Sequence, residues 1–485
     1  MTRYRLKDVL AGTEGELRGS PRPDLAFAGY ERDSRVVKPG DLYIAVKGEI
    51  HDGNEFTPGA FERGAAAALV SRAWADAHPE VTAPLIVVDD TISALQKWAK
   101  WRRDRLDLTV IGVTGSIGKT SSKESIAAVL SNTYRVYKSP GSYNNEIGLP
   151  YSLLEAPDDT EIMVLEMGGA YAFGELTLLS SIAQPQIGVV TNVQNVHLER
   201  MGTIEAIAET KAELVEALPE DGIAILNGDD PRVAAMAFKT RARVVTYGLG
   251  EGCDIRAESV RTEGLRGTSY WLLVDGERYF VKVPFYGVPG LQISLVALAV
   301  GHSMGVHISD MLVGLQDPQI QVRLASSPGP NGSEIIDDTY NASTQSMLAG
   351  LGLLEDIQPK RKIAVLGDMR ELGQVSEDEH RVVGRRAGGL LDVLVTYGEL
   401  ARTMAEEARL GAEAVERSIE VHSFPEGDDS KKAIVDLLRS ELRTGDVVLL
   451  KGSRGLKMES MVADLRSDIG PGAGEKKPAS RQVES

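Results

Sequence analysis

Along this chain, short β-branched apolar runs alternate with stretches whose apolar residues recur at helical spacing. The alternation is renewed in three successive blocks. In the first, Leu42-Tyr-Ile-Ala-Val46 and Leu85-Ile-Val-Val88 predict strands, and residues 56–68 and 92–106 predict helices. Trp98 and Trp101, three apart on the second helix, are expected in the core. In the second block, Ile162-Met-Val-Leu-Glu166, Ile187-Gly-Val-Val-Thr-Asn192 and Ile223-Ala-Ile-Leu-Asn227 each close on a polar residue, and residues 204–218 form one of the intervening helices. This predicts a parallel sheet with helices on both faces. Residues 253–284 alternate less regularly and predict an antiparallel hairpin pair. The third block has strands at Ile363-Ala-Val-Leu366, Val393-Leu-Val-Thr396 and Val447-Val-Leu-Leu450. The expected fold class is therefore α/β with three domains, 1–106, 107–320 and 321–466. Residues 467–485, rich in Gly, Pro, Lys and Ser, are expected to be a disordered tail.

Composition narrows the function. At 485 residues three ordinary domains are accommodated, and a net charge of −17 argues against a nucleic-acid partner. The single cysteine excludes an internal disulfide and a cysteine-based zinc site. No apolar run has the length of a membrane span and no signal peptide opens the chain, so a cytoplasmic location is expected.

The most informative stretch is Leu108-Thr-Val-Ile-Gly-Val-Thr-Gly-Ser-Ile-Gly-Lys-Thr120. A strand, a glycine turn and a helix start follow in that order. Free amides at the helix N-terminus and the helix dipole favour an anion there. Gly115, Ser116 and Gly118 shape the loop, Lys119 can bring a positive charge to β/γ-phosphates, and the Thr120 hydroxyl can ligate Mg²⁺. The pattern departs from the general P-loop at one place, where Val113 stands instead of glycine. A central P-loop-type ATPase domain is expected.

Other polar groups gather at predicted strand ends, where parallel sheets collect ligands. Glu166 is the carboxylate placed to hold Mg²⁺ against phosphates, with a simple helix cap as the plainer reading. His197, in a loop after a strand, reads as an exposed or structural histidine with ligation as the alternative. Lys211, between Glu209 and Glu213, reads as a solvated helix charge. Ser142-Tyr-Asn144-Asn145-Glu-Ile-Gly148 reads as a substrate or phosphate loop. Asp337-Asp338-Thr-Tyr340-Asn341 and Lys451-Gly-Ser453-Arg454 suggest a second half-site, and Asp33-Ser34-Arg35 reads as a capped turn.

Taken together these blocks resemble the Mur ligases over residues 30 to 460. The resemblance rests on the stretch from Asp33 to Leu42, on Thr114 to Thr120, Asn144 to Gly148, Glu166-Met-Gly168, Thr191-Asn-Val193 with His197, Asp337 to Ala342, Leu366-Gly-Asp-Met-Arg-Glu-Leu-Gly373 and Lys451 to Gly455. It implies an N-terminal UDP-sugar domain, a central ATPase and a Rossmann-like C-terminal domain. It also implies an ATP-dependent amide ligase working through an acyl-phosphate. The last three blocks imply D-alanyl-D-alanine and a UDP-muramoyl-tripeptide as substrates; a monomer is expected. By the same resemblance Lys119, Asn144, Asn145, His197 and Lys211 are catalytic, and Thr120, Glu166, His197 and Lys211 hold Mg²⁺, Lys211 as a CO₂-derived carbamate. Arg323, Asp338, Tyr340 and Asn341 would meet ATP from the third domain. Ser34 and Arg35 would touch the UDP-sugar, and Lys451, Ser453 and Arg454 the remaining substrate.

One region departs from the family pattern. Gly-x-His-Asn-x-x-Asn is usual after the central sheet, and this chain has Gly287-Val-Pro289-Gly290-Leu-Gln-Ile293. Ser343 replaces an asparagine and Asn54 stands where histidine is frequent. Weak adenine recognition follows as an expectation. The alternatives are a related ligase joining another amine to another carboxylate, or a non-catalytic nucleotide-binding module.

Overall fold

The computed structural model describes residues 4–22, 24–48, 51–169, 172–195, 198–317, 320 and 325–467. Residues 468–485 of the expected tail and two expected site residues, His197 and Arg323, lie outside them, while Ser467 ends the helix Glu459–Ser467.

Three large sheets organise the described residues, beside a two-stranded antiparallel pair of Tyr4–Arg5 with Ala26–Phe27. The first has five strands in the order Glu16–Arg18, Leu85–Val88, Ala67–Ser71, Leu42–Ile44 and Tyr30–Glu31. Ala67–Ser71 corrects the expectation of one helix over 56–68. The helical part is a short turn, Gly53–Phe56, followed by Thr57–Glu62. Alanines 65–68 favour a helix in isolation, yet Ala67, Ala68, Leu69 and Val70 are fully buried between parallel neighbours. Trp98 is in the core as expected. Trp101 is half-buried, with the Arg105 guanidinium 3.8 Å from its ring centre.

The second sheet has nine strands, in the order Glu277–Val283, Thr268–Val274, Ile255–Thr262, Arg243–Gly248, Ile223–Asn227, Ile187–Val190, Thr109–Thr114, Ile162–Glu166 and Val136–Lys138. The predicted hairpin pair is present as three antiparallel strands sharing Thr268–Val274. The remaining strands are parallel. From Thr109–Thr114 the chain winds first to one side, through Val136–Lys138 and Ile162–Glu166, then to the other through Ile187–Val190. That reversal opens a crevice at the carboxyl end of Thr109–Thr114, where the glycine loop begins.

The third sheet has six strands, Ala325–Pro328, Glu334–Asp338, Val447–Lys451, Lys362–Gly367, Val393–Tyr397 and Glu420–Phe424 in that order. Only its first pair is antiparallel. The first unit shares an apolar core with the second, including Val9, Trp98, Leu149 and Met163. Among the described residues no helix is long and apolar enough to cross a membrane.

Candidate active site

The glycine loop leaves Thr109–Thr114 and enters the helix Lys119–Ser131. Two of its glycines are required for different reasons. At Gly115 a Cβ would lie 2.0 Å from Thr191 Oγ1, so close approach of the next strand end demands glycine. Gly118 meets no neighbour but has φ +85°, a left-handed conformation costly for other residues. Asn192 braces the loop from outside: its backbone carbonyl accepts from Ser116 N–H, its Oδ1 from Ile117 N–H, and its amide donates to the Ile117 carbonyl, each at 2.9 Å. No side chain caps the helix at Gly118, so its first amides face the crevice.

Glu166 ends its strand in register with Val113 and is 1% exposed. Thr120 Oγ1 donates to its Oε2 and Asn144 Nδ2 to its Oε1, both at 2.7 Å. Lys119 Nζ folds onto the carbonyls of Gly115 (2.8 Å) and Ser116 (3.3 Å). A buried carboxylate, a hydroxyl, uncapped amides and a lysine thus converge, a donor set that fits a Mg²⁺-bound phosphate chain. Asn145 serves the fold locally, its Oδ1 accepting from Gly148 N–H at 2.8 Å.

Lys211 corrects the expectation of a solvated helix charge. It is 3% exposed and its Nζ donates to the carbonyls of Gly168, at 3.1 Å, and Gly169. Burial, reinforced by the nearby Lys119 charge, pulls its pKa down to about 7. Among the described residues no group of three His, Cys, Asp or Glu converges as a metal site, and His197 is not among those residues.

These groups line one side of a cleft of about 880 Å³, and the third unit lines the other with Tyr340, Asn341, Arg370, Glu371, Ser453 and Arg454. Tyr340 Oη lies 3.0 Å from Ser142 Oγ across the divide, and Arg454 reaches the same phenol at 3.3 Å. Beneath this rim Lys451, 1% exposed, pairs with Asp338 at 2.6 Å and donates to the Asn341 carbonyl at 3.0 Å. Lys451 and Asp338 are therefore a buried brace and do not line the cleft.

Ser34 and Arg35 also lie outside the cleft. Arg35 closes the turn on Asp33 through its backbone N–H and its guanidinium, which holds the Asp33 carboxyl down to about 2. Next to it, Arg32 sits over the rings of Tyr143 and Tyr151 and links this turn to the polar loop of the second unit.

Sequence reasoning passed over Lys123, which is fully buried and donates to the carbonyls of Ser139 (2.6 Å) and Gly141 (2.7 Å). It fixes the loop that delivers Asn144 to Glu166. The available signal was position: Lys123 lies four residues after Lys119, on the same helix face.

Three family models match the chain: "Mur ligase family, catalytic domain" over residues 27–103, "Mur ligase middle domain" over 113–301, and "Mur ligase, glutamate ligase domain" over 323–454. The UDP-N-acetylmuramoyl-tripeptide–D-alanyl-D-alanine ligase of Bacillus subtilis (strain 168) is 36% identical over 468 residues, 96% of this chain and 99% of the relative. The MurF crystal structure from Acinetobacter baumannii superposes with a TM-score of 0.84 at 28% identity, covering 96% of this chain and 99% of that one. The MurF ligase from Thermotoga maritima in complex with ADP gives 0.77 at 29% identity, covering 91% and 97%. The chain belongs to the Mur ligase family.

Proposed function

We propose that this chain is an ATP-dependent ligase that adds D-alanyl-D-alanine to UDP-N-acetylmuramoyl-tripeptide in peptidoglycan precursor synthesis. The observation that carries the reading is the joint grip of Thr120 and Asn144 on buried Glu166 beside Lys119, in a cleft closed by the third unit. Near-complete coverage of the Bacillus subtilis relative supports the choice of substrates.

In this reading residues 1–106 bind the UDP-sugar, with Ser34 and Arg35 at its edge. Residues 107–320 are the P-loop-type ATPase, and residues 321–466 a Rossmann-like domain that closes over it. The loop amides of Gly115, Ser116 and Gly118 and the Lys119 ammonium orient the β- and γ-phosphates. Thr120, Glu166, His197 and Lys211 hold Mg²⁺, which when bound offsets the repulsion between carboxylate and triphosphate. Arg323, Tyr340 and Asn341 meet the nucleotide from the third domain, with Asp338 and Lys451 bracing them from beneath. Ser453 and Arg454 face the peptide end.

The tripeptide carboxylate attacks the γ-phosphorus, and the bond to the β-phosphate oxygen breaks to release ADP. The dipeptide amine then attacks the acyl carbon, loses a proton and expels phosphate. Asn144 and Asn145 keep the polar loop in place while the cleft excludes water from the acyl-phosphate. A neutral Lys211 amine has two N–H donors, which the Gly168 and Gly169 carbonyls accept. Its lone pair would attack CO₂ with release of one proton; the resulting carbamate would keep one N–H for these carbonyls and supply an anionic oxygen. In this reading the working unit is a monomer.

The test is mass spectrometry of product formed from UDP-N-acetylmuramoyl-tripeptide, D-alanyl-D-alanine and ATP, with Lys119→Ala as control. Product that requires all three substrates and fails in the control supports the reading. Phosphate release independent of the amine rejects it.

A further inference from the structure

The turn between Gly367 and Gly373 carries Arg370, Glu371 and Leu372 into the third-unit wall of the cleft. Glu371 has φ +69°, an uncommon conformation for a side chain of its kind, so the turn depends on restraint from its surroundings. The structure supplies it through several hydrogen bonds, among them Asp368 N–H to the Tyr397 carbonyl at 3.2 Å, Ser453 N–H to the Asp368 carbonyl at 3.1 Å and Arg370 to Glu426 at 2.6 Å. Ser453 Oγ accepts from Arg370 N–H at 2.8 Å, and Asp368 accepts from Ala401 N–H at 2.7 Å. Gly373 N–H reaches Glu199 Oε1 of the second unit at 3.3 Å. Met369 N–H donates to Nε2 of His380 at 3.0 Å.

His380 is fully buried, on the helix Ser376–Gly388. Its Nδ1 lies 2.6 Å from the Ser376 carbonyl oxygen, which only accepts. Its Nε2 faces an amide, which only donates. One protonation state satisfies both: the neutral ring with its proton on Nδ1 and a lone pair on Nε2. A protonated ring would set N–H against N–H in a dry site. Burial accordingly holds the imidazole below its ordinary range, against the opposing pull of the Asp368 and Glu379 carboxylates.

We propose that His380 is a positioning residue for ligation: its Nε2 lone pair fixes the Met369–Leu372 turn and, through it, the wall against which the incoming amine substrate docks. Arg370, Glu371 and Leu372 line the third-unit side of the cleft that also holds the phosphate loop, and assigning that side to the amine rests on the ligase reading above. The hydrogen bond to Met369 stands independently of it.

Two near-isosteres separate the ring's two contacts. His380→Gln keeps an acceptor close to the Nε2 position, and His380→Asn keeps only a donor close to the Nδ1 position. With UDP-N-acetylmuramoyl-tripeptide and ATP saturating, His380→Gln should retain kcat/KM for D-alanyl-D-alanine within about threefold. His380→Asn should lose about tenfold or more, chiefly through KM, with KM for ATP changed less than about twofold. Equal losses in both variants, or losses that track their melting temperatures, overturn the proposal. Hydrogen–deuterium exchange in the unmodified protein is read alongside. The 367–373 segment should exchange at least about a hundredfold slower than an unstructured peptide. Fast exchange there overturns the proposal even if both variants misfold. An unmodified protein that protects this segment yet ligates nothing would sink the ligase reading instead.

Discussion

Thr120 and Asn144 hold opposite oxygens of one buried carboxylate, Glu166, each at 2.7 Å. One comes from the phosphate loop and the other from the polar loop, so the acidic group placed for Mg²⁺ senses both. Glu166→Gln removes the charge and turns an amide N–H₂ toward one of these donors. Ligation should fall about a hundredfold and the Mg²⁺ concentration for half-maximal rate should rise about tenfold. A Mg²⁺ titration of phosphate release decides this, and an unchanged half-maximal concentration would remove Glu166 from the metal site.

Lys211→Ala should be nearly inactive and partly rescued by acetate or formate. Either anion brings an oxygen to the space vacated beside Gly168 and Gly169. Rescue is measured as the ligation rate against acetate concentration, with chloride at matched ionic strength as control. Failure of both anions, together with an unmodified Lys211 mass after bicarbonate treatment, rejects the carbamate.

Lys123→Met keeps the length of the buried side chain but leaves the Ser139 and Gly141 carbonyls without their donor. An unsatisfied buried polar group costs about 1–3 kcal/mol. The melting temperature should fall by several degrees, at roughly 2–4 °C per kcal/mol. Ligation should fall further than stability explains, because Asn144 loses its seat. Full activity at a temperature well below the melting point would show that the loop holds its shape unaided.

The sequence was most legible where one element supplies its own pattern. Leu85–Val88 and the strand-loop-helix around Lys119 needed only local periodicity and glycine placement. Ala67–Ser71 was hidden because its alanines carry helix propensity, which parallel neighbours override. Ile255–Thr262 lost its alternation at a register shift between Glu258 and Arg261, where Ser259 has φ +53°. Lys211 looked like a surface charge between Glu209 and Glu213. Its burial depends on Gly168 and Gly169, which no local window contains. His380 was silent for the same reason, since its partner amide belongs to a distant turn.

The departure at Gly287–Ile293 has a packing cause. These residues open the helix Gly287–Ser303, and Gly290 and Ile293 are buried. A Cβ at Gly290 would lie 2.7 Å from Phe285 Cβ and 2.8 Å from its carbonyl carbon, so an asparagine does not fit without backbone movement. Gln292 donates its amide to Asp229 at 2.7 Å. With no asparagine at 290 or 293 to pair with adenine, affinities for ATP and GTP should differ by less than about fivefold, the lower end of the roughly 1–3 kcal/mol of a well-made polar contact. Calorimetric titration with each nucleotide and Mg²⁺ measures the ratio directly. A preference for ATP above about a hundredfold would mean that other groups read the base.

The central claim is that one carboxylate oxygen of the tripeptide leaves on phosphate. The decisive measurement uses UDP-N-acetylmuramoyl-tripeptide labelled with ¹⁸O in its terminal carboxylate, with unlabelled ATP, water and D-alanyl-D-alanine, followed by mass analysis of the released phosphate. Attack by the carboxylate on the γ-phosphorus predicts one ¹⁸O in each phosphate released and one retained in the new amide. Phosphate without label, formed alongside ligated product, would contradict the acyl-phosphate route and the role assigned to this cleft.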